Sequence, residues 1–131
     1  MLSVTQFQKI VRASGWYDLV VAAPFATPFT FAIVWQHLQT MDKRLGLAGN
    51  LPEIDPAHAL LANLMGSVIV IWSIVRIRTP EARFGRYDGA GRVLFTIWIL
   101  YGVSQGLSQV LLVFVLFEIA WGVMQLLPTK R

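Results

Sequence analysis

The stretch Arg76–Arg92 separates two long apolar runs and holds five of the eleven basic residues of the 131-residue chain. It reads Arg-Ile-Arg-Thr-Pro-Glu-Ala-Arg-Phe-Gly-Arg-Tyr-Asp-Gly-Ala-Gly-Arg. Arginines that flank membrane segments are retained on the cytoplasmic side during insertion. A connection this basic therefore sets the direction of the helices on both sides of it. The other basic residues agree: Lys9 and Arg12 lie near the start, Lys130 and Arg131 at the end, and only Lys43 and Arg44 fall in the remaining connections. The asymmetry predicts an all-α integral membrane four-helix bundle with the N- and C-termini both cytoplasmic.

Composition enters as a test of that reading. With 56% hydrophobic residues and a mean hydropathy of +0.60, the chain is more apolar than a soluble core requires. The absence of cysteine removes disulfides, thiolate nucleophiles and cysteine-ligated metals. A net charge of +4 and a pI near 10.0 could indicate nucleic acid, but the basic residues sit beside apolar runs. Orientation in the membrane accounts for them, so no nucleic-acid partner is expected.

Four spans follow along a single domain, residues 1–131, at about residues 16–38, 57–77, 90–106 and 108–127. Met1–Ser14 carries Val4, Phe7, Ile10 and Val11 at helical spacing opposite Gln6, Lys9 and Arg12. Such an amphipathic segment either lies at the interface or extends the first span. It reads as a retained first span and not as a cleaved signal peptide, because the apolar run after it exceeds a signal core. Trp16 and Tyr17 are expected at headgroup level, and Pro24 and Pro28 are expected to kink the first span. Gln39–Ala57 is the longest polar stretch, and Asp55-Pro56 has the form of a helix start. The uncharged turn Ser104–Gln109 makes the last two helices an antiparallel hairpin.

Ionisable groups at membrane depth need a partner, a wet cavity or a role. Glu118 is flanked by Phe114–Phe117 and Ile119–Trp121 and shares a helical face with Gly122 and Gln125. Arg92 lies one turn from Asp88 and can reach Glu118 on the next helix. The expected interior network is Asp88, Arg92 and Glu118, with Asp18, Asn63 and Gln125 on the inward stripes of their helices. The first-span stripe is read as Asp18, Ala22, Phe25, Phe29, Ala32 and Gln36, and the second-span stripe as Asn63, Gly66, Val70 and Ser73. His37 and His58 match no ligand spacing, so no metal and no cofactor is expected. No catalytic motif is present, and no catalytic residue is assigned.

The whole-chain length, the proline-bearing first span with glycine and tryptophan at its start, and the Gly85-Arg86-Tyr87-Asp88 to Arg92 segment give the chain a resemblance. It resembles the DoxX-like small four-helix bacterial membrane proteins. The resemblance implies a multi-pass protein of the bacterial inner membrane, with membrane lipids and other membrane subunits as partners. The sequence reading is of a protein that binds a lipid-like or small apolar ligand or serves as an accessory subunit of a membrane complex. The alternative is a proton-coupled small-molecule carrier, or an acid/base enzyme similar to sterol-isomerase-type bundles, using the buried carboxylates.

Overall fold

A computed structural model describes residues 1–129, and the basic tail Lys130-Arg131 lies outside them. The described chain is all-helical. Five α-helices follow in order: α1 (Val4–Ala22), α2 (Pro28–Leu45), α3 (Pro56–Arg78), α4 (Ala82–Ser104) and α5 (Leu112–Leu126). Short 3-10 turns at Ala23–Ala26 and Gln109–Leu111 lead into α2 and α5. The helix α3 and the run Gln109–Leu126 are long and apolar enough to cross a membrane, and α1 with α2 would add a third if counted as one bent span.

Local chemistry explains where each helix starts. Ser3 and Gln6 form a capping box in which each side chain satisfies the other residue's backbone N–H, at 3.2 and 2.9 Å. Asp55 accepts from the His58 backbone at 2.9 Å, and Pro56 occupies the first position of α3, where its missing N–H costs nothing. The α2 start repeats this arrangement with Thr27 and Pro28.

That repeat corrects the sequence expectation for the first span. Residues 16–38 do not form one kinked helix. The two prolines act as helix-start residues, with Pro24 inside the 3-10 turn and Pro28 opening α2 behind the extended Thr27 at φ −132° and ψ 147°. The axis turns by 103° at the break. The expected interior stripe of this span ends there too, since Phe29 is 81% exposed. The helix α1 begins at Val4, so the amphipathic leader extends it, one of the two arrangements expected of that segment, with Phe7 and Val11 buried. One more boundary differs. The helix α4 begins at Ala82, so only Thr79, Pro80 and Glu81 separate α3 from α4 and the arginine-rich segment is mostly helical.

Glycines let two antiparallel pairs close. A Cβ on Gly66 of α3 would lie 2.5 Å from the Phe25 carbonyl carbon, and one on Gly15 of α1 would lie 3.1 Å from the Ser73 carbonyl oxygen. Contacts that run in opposite senses along α1 and α3 define the first pair. Gly89 meets Gln125 and Leu126, while Gly122 meets Arg92, which defines the α4/α5 pair. At one end the pairs join where Phe7 and Val11 pack over Gly85, and the Leu2 N–H donates to the Pro128 carbonyl at 3.1 Å. At the other end Asn50 exchanges backbone bonds with Gly106 and Ser108, and Leu38, Leu51 and Val110 form a small apolar core. Between these closures α3 and α4 do not pack closely on each other, and residues of both line the space between the pairs.

Candidate functional site

Each of four helices contributes polar side chains to one buried layer. Asp18 of α1 accepts on Oδ2 from Arg76 Nη2 of α3 and from Arg92 Nη2 of α4, both at 2.6 Å. Asp88 of α4 accepts on Oδ2 from Arg76 Nη1 at 2.6 Å, Gln125 Nε2 at 2.8 Å and Arg92 Nε at 3.2 Å. Its Oδ1 accepts from Trp72 Nε1 at 2.8 Å. Glu118 of α5 accepts on Oε2 from Arg92 Nη1 at 3.0 Å. Gln125 also accepts from Arg92 Nε at 3.1 Å and donates to Ser14 Oγ at 2.7 Å. Ser14 in turn accepts from Arg76 Nη1 at 2.8 Å and donates to the Val11 carbonyl.

Burial makes this layer consequential. Arg76, Ser14 and Gln125 are wholly buried, and Arg92 is 3% exposed. Charges held away from water interact strongly, and removing one partner leaves its opposite uncompensated. Three carboxylates share two guanidinium groups, so the layer carries one negative charge in excess when all five groups are ionised.

The layer floors a cavity of about 630 Å³ between α1, α3, α4 and α5. Asp18, Asp88, Arg92 and Glu118 lie at its polar end, and the rest of its wall is apolar and aromatic, including Tyr17, Trp72, Phe95 and Trp98. Concave apolar sites with a few convergent polar groups are the usual form of small-molecule sites, and this volume falls within their range. Leu107, Leu111 and Phe114 close the far end beside the small apolar core.

The residues singled out from sequence fall in two places. Asp18, Asp88, Arg92, Glu118 and Gln125 meet in the layer. Asn63 stands apart: its Nδ2 donates to the Phe25 carbonyl at 2.8 Å, satisfying an acceptor at the α1/α2 break. Tyr17 turns inward and packs on Phe117 and Trp121, with ring centroids 5.5 and 5.7 Å away. His37 and His58 bond only to their own helix and its cap, and among the described residues no cluster of metal-ligating side chains occurs.

Sequence reasoning missed Arg76, Ser14 and Trp72. Arg76 was counted as part of a cytoplasmic connection, yet among the described residues it is the most thoroughly buried cation. The signal was present: Ser73 ends the inward stripe of α3, and the next step of three residues reaches Arg76. Ser14 likewise precedes Asp18 by one turn. Comparison with known protein families, curated proteins and solved structures gives no match.

Proposed function

We propose that this chain is a small multi-pass membrane protein that takes a lipid-like or small apolar molecule into the cleft between α3 and α4. The observation that carries this reading is the cavity of about 630 Å³, apolar along its walls and ionic at one end. A protein that only packed its helices together would have little reason to leave such a space. The broad apolar exposure of α3, α4 and α5, with Leu64, Ile71, Leu94 and Leu116 more than half exposed and none of them lining the cavity, fits lipid contact outside the cleft.

Four spans in a bundle, with both termini cytoplasmic, is the topology we attach to this function. Among the described residues, Lys9, Arg12, Arg78, Arg83 and Arg86 lie toward the end where Leu2 meets Pro128, and Lys43 and Arg44 close α2. That bias favours a cytoplasmic location for the end nearer the charge layer even though Arg76 and Arg92 serve inside. The resemblance to DoxX-like proteins of the bacterial inner membrane supports the same topology, and with it a place beside other membrane subunits. Acid/base catalysis or proton-coupled transport by Asp18 and Glu118 is the weaker reading. Both carboxylates serve as ion-pair partners, Asp18 Oδ2 for two guanidinium groups and Glu118 Oε2 for one, and the sequence supplies no catalytic motif beside them.

Native mass spectrometry of protein released from membranes in mild detergent tests the ligand. The expected result is a bound apolar molecule that disappears in Ala62→Trp, where a large ring fills the cavity wall. Wild-type protein with only nonspecific lipid, unchanged in that variant, would refute the reading.

A further inference from the structure

The floor of the cavity carries more carboxylates than cations, and two of the carboxylate oxygens are open, which sets the chemistry of the ligand's polar end. Asp18 and Glu118 each engage the protein through one oxygen, Oδ2 and Oε2 respectively. Their second oxygens, Oδ1 and Oε1, accept no bond from the described residues. Neither is sealed in, since the one fully buried unpartnered side-chain atom among the described residues is Arg76 Nε. Both carboxylates line the cavity and keep 13% and 14% of their side chains exposed.

The cations, by contrast, are already paired. Each nitrogen of the Arg92 guanidinium donates to a carboxylate or to Gln125, which leaves one N–H on Nη1 and one on Nη2. Arg76 donates to Asp18, Asp88 and Ser14 and does not line the cavity. With three carboxylates to two guanidinium groups, an anionic headgroup would add a second unpaired negative charge in a dry space, whereas a cation would complete the count. The wall suits a cation as well. Tyr17, Trp72, Phe95 and Trp98 present rings around the cavity, and aromatic faces attract cations electrostatically.

We propose that the cleft selects amphipathic organic cations, with the positive centre held against the open oxygens of Glu118 and Asp18 and the apolar body lying between α3 and α4. This rests on the ligand-cleft reading above and narrows it to a charge class.

Three probes of one shape separate the terms: tetraphenylphosphonium, neutral tetraphenylsilane and anionic tetraphenylborate. Binding is read from tryptophan fluorescence of the full chain in phosphatidylcholine nanodiscs, with protein-free nanodiscs subtracted for partitioning. The phosphonium charge is permanent, so no probe titration intrudes. The expected order is phosphonium first, by about tenfold or more over the silane, as contact with a charged group supplies. The borate should not displace it. In Glu118→Gln the advantage of phosphonium over silane should shrink to about twofold, because the neutral amide keeps the shape and loses the charge. Should that variant fail to fold, the order of the three probes on the wild-type protein decides alone. Silane or borate binding as tightly as phosphonium overturns the cation assignment while leaving a ligand cleft in place. If no probe binds, the cleft reading fails with it.

Discussion

The two ends of the molecule are closed by different forces. At one end Asp18, Arg76, Asp88, Arg92, Glu118 and Gln125 tie four helices together through directional bonds to buried charges. At the other, Leu38, Leu51 and Val110 pack together, with Val34, Trp35 and Phe114 around them and the Asn50 backbone pairing beside them. Among lipid tails apolar packing has no hydrophobic drive, so polar contacts and close glycine packing must hold helices there. Near water the apolar core regains that drive. The charged end is therefore the one where each group has a required partner, and the apolar end is the one held mainly by packing.

Substitutions that break one end and spare the other sharpen this contrast, and the largest effect should come from the charges. Arg92→Gln leaves Asp18 and Asp88 with Arg76 alone and Glu118 with no cation partner. Stranding buried charge in this way costs about 3–5 kcal/mol, to be measured by reversible denaturation in mixed micelles. Adding Glu118→Gln to that variant should recover part of the loss, since one stranded carboxylate is removed. At the apolar end Leu38→Ala should cost about 2–3 kcal/mol and leave the charge layer intact, with increased exchange at Asn50 and Ser108 amides as its signature.

Gly66→Ala probes the wall between the ends. Its added Cβ would meet Phe25 and Ala26 backbone at 2.5 and 2.7 Å, and backbone yields less readily than a side chain. A loss of about 1–3 kcal/mol is expected from the same denaturation assay. The smallest effect belongs to Asp55 at the start of α3. The His58 backbone N–H, and then the His58 side chain, hold its carboxyl below the ordinary value of 3.8, so the folded state takes up its proton less readily than the unfolded chain. The capping contribution is complete above that value and is lost as pH falls through the lower folded one. Melting curves recorded on either side should show an acid-side decline that is smaller in Asp55→Asn.

Much of this contrast was legible in the residues, for a physical reason in each case. Hydropathy marked α3 and the last apolar run, and the Asp55-Pro56 start needed only local rules. Arg92 and Glu118 could be paired because the short Ser104–Gln109 turn forces α4 and α5 together. The bend after α1 was misread because Pro24 and Pro28 suit both a kinked helix and a new helix start. Thr27, whose side chain accepts from the Thr30 N–H at 3.2 Å, decides for the second. Arg76 was misread because a basic residue near a helix end serves retention and ion pairing equally well in sequence. Only the approach of α1 and α4, distant in sequence, tells them apart.

The most direct test of the central claim is a double-mutant cycle on Arg76 and Asp18, which are 58 positions apart and joined at 2.6 Å. Arg76→Gln, Asp18→Asn and the double variant, unfolded in the same micelles, should show a coupling of about 1–3 kcal/mol. Strictly additive effects would mean that the two side chains do not meet, and that the charge layer does not tie α1 to α3.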